Sequence, residues 1–230
     1  MPEYSVVIPV FNEEDSLEIL FTEITTQMRL LGSSFELIFV DDCSFDHSFS
    51  IMENFKSGSP VPVHVVRLNK RSGQTCALKN GLERATGNVI ITLDADLQND
   101  PVDIPRLISR LKEGYDMVCG WRKSREDKPL KKYLSKLGNI FQRRISGLKI
   151  HDVSCTLRAC YRHCLPSIDL EWEGQHRFIP LSLFLKGYKI TEVLTHHHRR
   201  KFGYSKYGHQ RIGKVIIDFL RILSPARRKA

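Results

Sequence analysis

The stretch Asn88-Val89-Ile90-Ile91-Thr92-Leu93-Asp94-Ala95-Asp96-Leu97-Gln98 decides the fold of this chain. Residues 88–93 are mostly apolar and rich in β-branched side chains, which is typical of a buried strand. Two carboxylates, Asp94 and Asp96, follow the run directly. A buried strand that ends in acidic residues predicts an α/β sheet with polar groups at the carboxyl ends of its strands.

The same arrangement occurs twice nearer the N-terminus. An apolar run over residues 4–9 leads into Val10-Phe11-Asn12-Glu13-Glu14, and a run over residues 35–40 leads into Asp41-Asp42. Further strands are predicted over residues 61–68 and 116–120, and helical apolar spacing occurs between the strands, over residues 13–31, 45–55, 77–85 and 103–111. Alternation of this kind predicts a Rossmann-like, mostly parallel sheet flanked by helices, with its ligand edge at the strand ends.

The pattern changes after residue 122. We predict a basic helix over residues 128–146, a loop and short strand over residues 151–161, and a helix over residues 174–186. A last strand over residues 189–194 is followed by a loop rich in His and Arg. An apolar helix over residues 210–223 comes last.

The composition is that of an ordinary globular protein that favours anionic partners. The 230 residues are 41% hydrophobic and 27% charged, with a net charge of +9. We see no apolar run long enough to span a membrane and no signal peptide, so we expect a cytoplasmic protein with reduced cysteines. Basic residues are concentrated at residues 122–149 and in the last 35 residues, which favours a phosphorylated or lipid partner.

The strand-end residues suggest nucleotide and metal chemistry. Asp94 and Asp96 have the spacing to reach one divalent cation, which can neutralise a departing diphosphate. Asp41 has the position of an acid that accepts hydrogen bonds from a base or ribose, and Phe11 and Glu13 could contact the base. The alternative for each loop is an ordinary turn whose acids cap the following helix.

Four ordered motifs together resemble the family 2 glycosyltransferases of the GT-A fold. They are residues 5–14, residues 40–44, residues 69–73 and Asp94-Ala95-Asp96-Leu97-Gln98. Within that family the chain is most similar to the dolichyl- and polyprenyl-phosphate sugar synthases, over residues 4 to about 208. The resemblance implies that the nucleotide and diphosphate are held by Pro9, Phe11, Glu13, Asp41, Asp94 and Gln98, with Mg2+ or Mn2+ on Asp94 and Asp96.

A basic loop extends the resemblance. Residues 199–207 are similar to the family's Arg-x-x-Gly-x-Ser-Lys-Tyr loop, which assigns Arg200, Ser205 and Lys206 to the donor phosphates. Arginine suits bidentate contact with phosphate, and glycine lets the loop approach closely. The alternative is a solvated basic loop.

Two residues are assigned to the acceptor by the same resemblance. Arg122 matches an arginine that meets the acceptor phosphate. Asp152 matches an acidic position that acts as a general base or as a positioning carboxylate. Cys155 or Thr156 stands where relatives commonly have glycine, and this difference weakens the alignment around Asp152.

The predicted function is inverting transfer of a hexose from a UDP- or GDP-sugar to a polyprenyl (dolichyl or undecaprenyl) phosphate. We expect a catalytic domain over residues 1–208, divided into a nucleotide-sugar half (1–121) and an acceptor half (122–208). Residues 209–230 are expected to form an amphipathic basic helix and tail at the cytoplasmic face of a membrane. No nucleic-acid partner is expected, since no such signature is present. The alternatives are transfer to a hydroxyl of lipopolysaccharide or another glycan, and a non-catalytic module that binds nucleotides or polyanions.

Overall fold

A computed structural model describes residues 1–123, 144, 146–200 and 211–223. For residues 211–216 it describes the backbone alone. The strands of this part are β1 (Tyr4–Val10), β2 (Phe35–Asp41), β3 (Val63–Arg67), β4 (Val89–Thr92), β5 (Met117–Trp121), β6 (Arg158–Tyr161) and β7 (Ile190–Leu194). The helices are α1 (Glu14–Leu30), α2 (Ser48–Gly58), α3 (Gln74–Arg84), α4 (Ile104–Leu111), α5 (Ile179–Leu185) and α6 (Arg211–Leu223).

The seven strands form one mixed sheet in the order β3-β2-β1-β4-β6-β5-β7. Strands β1 to β4 pair with one another in parallel, and β5 is parallel to β7. Strand β6 lies between β4 and β5 and is antiparallel to both. The predicted mostly parallel sheet is confirmed. Strand order reverses at β1, which places the ligand edge of the sheet at the ends of β1, β2 and β4.

Helices cover both faces of this sheet because successive side chains of a strand point to opposite sides. Val6 and Ile8 of β1 belong to the core cluster beneath α1 and α4, while Val7 belongs to the cluster beneath α3, α5 and α6. The continuous apolar runs seen in the sequence therefore reflect strands buried on both sides. Strands β6 and β7 come from the predicted acceptor half and pair with strands of the first half, so one sheet crosses the predicted boundary at residue 121.

Some element boundaries differ from the predicted ones. Helix α2 begins at Ser48 rather than at residue 45, and the Ser48 amide at its first residue donates a hydrogen bond to the Asp46 carboxylate at 3.0 Å. The predicted helix over residues 174–186 is divided into a 3-10 helix, Gln175–Phe178, and α5. The predicted helix over residues 128–146 lies largely outside the described residues.

A buried hydrogen-bond network ties the start of β1 to the turn before β4. The Glu36 carboxylate accepts hydrogen bonds from the Ser5 hydroxyl at 2.6 Å and from the Thr86 amide and hydroxyl at 2.8 Å. Burial opposes ionisation of Glu36, but these hydrogen bonds and the nearby His64 outweigh it and hold the pKa of Glu36 below its usual 4.5. Glycine is required at position 87, where a Cβ would lie 2.7 Å from the Ser5 backbone nitrogen.

Two further predictions concern the membrane and the cysteines. Among the helices that the structure describes, none combines the length and apolar character needed to span a bilayer. All six cysteines are free thiols, as expected. Four of them are buried, and burial raises the pKa of Cys155 to about 11.

Candidate active site

A pair of carboxylates lies at the centre of the ligand edge. Asp94 and Asp96 stand in the loop after β4, as the sequence predicts. The Asp94 Oδ1 atom accepts a hydrogen bond from Gln74 Nε2 at 2.6 Å, at the first residue of α3. Asp96 is buried, and its Oδ1 accepts a hydrogen bond from the Gln98 amide at 3.1 Å. Gln98 thus supports Asp96 through its backbone.

The electrostatics of this pair fit a divalent cation. Burial, followed by the charge of Asp96, raises the pKa of Asp94 to about 6, while Thr156, Arg122 and Arg158 act in the opposite direction. Two acids that repel each other in this way are stabilised by a shared cation. Among the described residues no group of three or more Asp, Glu, His or Cys could hold a metal. The pair therefore suits Mg2+ or Mn2+ of the kind that takes one or two carboxylates and completes its coordination with substrate phosphates.

Arg200 reaches this pair from the last predicted loop. Its Nη2 atom donates to Asp96 Oδ2 at 2.5 Å, and its Nη1 lies 3.7 Å from Glu13 Oε1. Arg200 therefore connects the loop after β4 to the loop after β1. Ser205 and Lys206, the other predicted residues of the basic loop, lie outside the described residues.

The segment that carries Arg200 is held along the loop after β4. The His198 amide donates to the Gln98 carbonyl at 2.9 Å, and His197 forms a β-bridge with Asn99. The side chains of His196 and His198 contact the carboxylates of Asp103 and Asp100 at 3.1 and 2.9 Å. The His-rich run is thus a structural anchor, and it fixes the backbone from which Arg200 extends.

The loops after β1 and β2 form an aromatic corner on the donor side. The Arg71 guanidinium lies 4.1 Å from the centroid of the Phe11 ring, and Phe45 meets the Phe11 ring edge-on at 6.0 Å. Phe45 is 78% exposed. Asn12 joins the two loops, because its side-chain oxygen accepts a hydrogen bond from the Phe45 amide at 2.8 Å. Flat, partly exposed aromatic rings next to a cation are a suitable surface for a nucleobase to stack on.

Asp41 and Pro9 occupy the predicted edge but differ in access. Asp41 is fully buried; its Oδ1 accepts from the Ser44 amide at 3.0 Å, and its Oδ2 lies 3.2 Å from Arg67 Nε. In this structure Asp41 therefore organises the loop, and its contact with a nucleotide stays a prediction. Pro9 lies beyond the part of β1 that pairs with β4, so its missing N–H does not interrupt that pairing.

Backbone strain is concentrated at this edge. Among the described residues other than glycine, positive φ occurs at Asn12 (51°), Cys43 (63°) and Leu97 (57°). These three residues stand in the loops after β1, β2 and β4. A left-handed conformation is unfavourable for residues with a Cβ, and for the branched Leu97 especially, so the three loops hold conformations that the surrounding structure imposes.

The two predicted acceptor residues form a salt bridge with each other. Arg122 donates from Nε to Asp152 Oδ2 at 2.6 Å and from Nη2 to Asp152 Oδ1 at 3.0 Å. The Nη2 atom also donates to the Ser154 hydroxyl at 3.1 Å. The Asp152 side chain is 3% exposed and that of Arg122 is 11% exposed. The Asp152 carboxylate therefore holds the Arg122 guanidinium in a nearly buried salt bridge, and the acceptor roles of both residues stay predictions.

The site contains two residues to which sequence reasoning assigned no role. Gln74 holds Asp94, as described above. Arg158 is buried on β6 and donates to the backbone carbonyls of His176 at 2.7 Å and Val153 at 2.9 Å. The sequence offers no signal for the contact of Gln74, which lies before the predicted helix over residues 77–85 and just after the motif at residues 69–73. Arg158 follows Asp152 by six positions in the sequence. Which groups its side chain contacts could be seen only in the tertiary structure.

An aromatic pair stands next to Arg122. The Trp121 and His151 rings stack with centroids 4.1 Å apart and an interplanar angle of 11°. Glu192 on β7 fixes His151 through the His151 amide, at 2.6 Å, and through its ring Nδ1. A flat pair of stacked rings thus lies beside the predicted acceptor residue Arg122.

Comparison with known proteins agrees with this arrangement. Residues 5–167 match the model of glycosyl transferase family 2, so the chain belongs to that family. It is 37% identical, over 220 residues, to the undecaprenyl-phosphate 4-deoxy-4-formamido-L-arabinose transferase of Salmonella paratyphi B. That match covers 96% of this chain and 67% of the relative. The resemblance inferred from the motifs is confirmed.

Solved structures support the fold. Glucosyl-3-phosphoglycerate synthase from Mycobacterium tuberculosis, crystallised with Mn2+, UDP and phosphoglyceric acid, has a TM-score of 0.70 at 19% identity, covering 99% of this chain and 78% of that one. Residues 1–349 of S. aureus TarS, in complex with UDP-GlcNAc, have a TM-score of 0.69 at 15% identity, covering 98% and 69%. The predicted GT-A fold is confirmed.

Proposed function

We propose that this chain transfers a hexose from a UDP- or GDP-sugar to a polyprenyl phosphate, with inversion at the anomeric carbon and with Mg2+ or Mn2+. The name of the Salmonella relative describes a sugar transferase that acts on undecaprenyl phosphate, which supports this acceptor class. The structure of the mycobacterial neighbour with Mn2+ and UDP supports a divalent metal and a nucleotide donor.

The donor side follows from the strand-end loops. Phe11 and Phe45 offer ring surface to the base, and Arg71 adds a positive charge beside it. Asp94 and Asp96 would hold the metal, which supplies neutralisation of the charge that develops on the departing diphosphate. Around these carboxylates the chain adds positive charge of its own, from Arg122, Arg158 and Arg200.

The observation that carries the choice of acceptor is the salt bridge between Arg122 and Asp152. A hydroxyl acceptor needs a general base, but Asp152 is buried and both of its oxygens accept hydrogen bonds from Arg122. A phosphate monoester has a second pKa of about 6, so it is already a dianion at neutral pH and needs no base. Asp152 then holds a guanidinium in the orientation that a phosphate oxygen requires.

The reaction is a single in-line displacement. A phosphate oxygen of the acceptor forms the new bond to the anomeric carbon, while the bond from that carbon to the diphosphate oxygen breaks. The electron pair of the broken bond leaves with the nucleoside diphosphate. Attack from the opposite side inverts the anomeric configuration. Arg122 orients the nucleophile, and Arg200 is placed to contact the leaving group.

Helix α6 supports an encounter with a membrane surface. Its Phe219 packs against Phe178, with ring centroids 6.4 Å apart, so the helix is docked on the body of the protein. On the other side Ile217 and Leu220 are 52% and 55% exposed, next to the exposed Arg221. An apolar stripe bordered by a basic residue suits the boundary of an anionic bilayer, where a polyprenyl phosphate presents its head group.

The test is a transfer assay with paired acceptors. UDP- and GDP-hexoses with Mn2+ are offered together with undecaprenyl phosphate or with undecaprenol, which lacks the phosphate. We expect a lipid-linked sugar from one donor class, only with the phosphate acceptor. The Asp96→Asn variant should lose this activity, whereas Asp15→Asn, at an exposed position on α1, should retain it.

Two results would contradict the proposal. Transfer to undecaprenol at a similar rate would mean that the enzyme activates a hydroxyl, which excludes a purely positioning role for Asp152. If no nucleoside diphosphate raised the melting temperature of the folded protein in the presence of Mn2+, the donor site itself would be disproved.

A further inference from the structure

The Arg200 guanidinium binds the Asp96 carboxylate, one of the two predicted ligands of the metal. Its Nη2 donates to Asp96 Oδ2 at 2.5 Å, and the Asp96 side chain is only 8% exposed. The other carboxylate oxygen, Oδ1, accepts the Gln98 amide at 3.1 Å. Both oxygens of Asp96 are therefore engaged by donors of the protein. A divalent cation that binds Asp96 must compete with a guanidinium, and at such short range the two positive charges also repel each other.

We propose that Arg200 is an internal counterion of the metal site, and that it exchanges Asp96 for the donor diphosphate when metal and nucleotide bind together. This inference rests on the proposed function, because it assumes a metal at Asp94 and Asp96. It adds that metal alone binds weakly, and that the nucleotide strengthens metal binding by giving Arg200 a new partner. Coupling of this kind is reciprocal: the metal strengthens nucleotide binding by the same factor.

The guanidinium has an unused donor for that partner. Its Nη1 is buried and makes no hydrogen bond to any residue that the structure describes, and Glu13 Oε1 lies 3.7 Å from it. A buried donor without an acceptor is unfavourable, so an added phosphate oxygen would satisfy it. Two donors of one planar guanidinium also match two oxygens of a diphosphate.

Contacts just before Arg200 in the chain hold its backbone near the site. The backbone leading to Arg200 is fixed by the bridge between Asn99 and His197 and by the contact of His198 with Asp100. Since Arg200 follows this anchor by two residues, its Cα stays near the site while the long side chain turns. The guanidinium can therefore leave Asp96 without any large movement of the protein.

The inference predicts changes of opposite sign in one variant. In Arg200→Gln, Asp96 loses its competing cation, so Mn2+ alone should bind about tenfold more tightly, which corresponds to about 1.4 kcal/mol. The same variant lacks the phosphate contact, so UDP or GDP should bind about tenfold more weakly in the presence of saturating Mn2+. Arg200→Lys keeps a positive charge and should stay close to wild type in its affinity for Mn2+ alone.

The experiment measures free Mn2+ by electron paramagnetic resonance during titration of the full chain, with and without UDP or GDP. The matched control is Arg199→Gln, which removes the same charge at the adjacent, exposed position. Thermal unfolding of each variant without metal shows whether the fold is retained. We expect tighter Mn2+ binding in Arg200→Gln than in Arg199→Gln, and a smaller effect of the nucleotide on that binding.

The outcomes separate this inference from the proposed function. If wild type binds Mn2+ and a nucleotide but Arg200→Gln binds Mn2+ no more tightly than Arg199→Gln, the counterion role is overturned and the proposed function stands. If Arg199→Gln tightens Mn2+ binding equally, net charge alone explains the effect, and the role is overturned again. If wild type and Arg200→Gln bind neither Mn2+ nor nucleotide, both the inference and the proposed function fail.

Discussion

Replacing Asp94 with asparagine should stabilise the metal-free protein. The substitution keeps the shape of the side chain and an oxygen that can accept the hydrogen bond from Gln74, at 2.6 Å in the native protein. It removes one of two neighbouring negative charges. Burial and the charge of Asp96 raise the pKa of Asp94 from 3.8 to about 6. A change of one pKa unit corresponds to about 1.4 kcal/mol, so ionised Asp94 destabilises the fold by up to about 3 kcal/mol.

The size of this effect depends on pH. Because the pKa of Asp94 is higher in the folded state than in the unfolded state, the folded state binds the proton more tightly. The destabilisation is therefore fully present above about pH 6 and disappears only as the pH falls below about 4, where the carboxyl becomes protonated in both states. We expect the free energy of unfolding of Asp94→Asn to exceed that of wild type by about 1 to 3 kcal/mol at pH 8 in EDTA, and by roughly half as much at pH 5.

The assay is urea unfolding followed by circular dichroism at the two pH values. Asp100→Asn is a control of opposite sign. Burial of Asp100 opposes its ionisation, but contacts from His198 and the Val102 amide outweigh this and hold its pKa below the usual 3.8. That variant should lose stability at pH 8. If Asp94→Asn is no more stable than wild type at pH 8, or keeps its full advantage at pH 5, the electrostatic account of the carboxylate pair is refuted.

Three further predictions concern the acceptor side, the fold and the membrane. Asp152→Asn should reduce transfer by about tenfold, or about 1.4 kcal/mol, in single-turnover assays on the folded protein, because the arginine loses orientation while the phosphate still needs no base. Glu36→Gln should lower the free energy of unfolding by about 1 to 3 kcal/mol at pH 7. Because the pKa of Glu36 is held low, the advantage of wild type in urea titrations should decline as the pH falls below 4.5, and an advantage that did not decline with pH would contradict the network. Replacing both Ile217 and Leu220 with serine should reduce sedimentation with anionic vesicles, whereas Ile19→Ser, at an exposed position on α1, should not.

Much of the first half could be predicted from the sequence, because its strands are short apolar runs that end in polar residues. Parallel strands bring such ends to one edge, so Asp94 and Phe11 could be placed at the same edge without a structure. The position of β6 could not be predicted in this way. Residues 158–161 insert between β4 and β5 and run antiparallel to both, and that choice depends on pairing partners far away in the chain.

The partners of the site residues were also beyond the sequence. Arg122 and Asp152 were assigned separate roles, and only the fold shows that they bind each other across 30 positions of the chain. The run of histidines suggested a loop, yet its contacts with Asp100 and Asp103 make it the support of Arg200. Motif order identifies which residues matter, whereas their pairing requires the tertiary structure.

The ligand edge combines several unfavourable features that a bound donor would relieve. Asn12, Cys43 and Leu97 hold left-handed backbone conformations in three adjoining loops. Asp94 carries a raised pKa, and Arg200 retains a buried donor without a hydrogen bond to the described residues. Each of these raises the free energy of the unliganded protein. A metal bound together with a nucleoside diphosphate would supply a positive charge beside Asp94 and an acceptor for Arg200. Binding of both should therefore stabilise this edge of the sheet. Under the proposed function, backbone strain at the strand ends and the unused donor of Arg200 would favour the complete donor over either component.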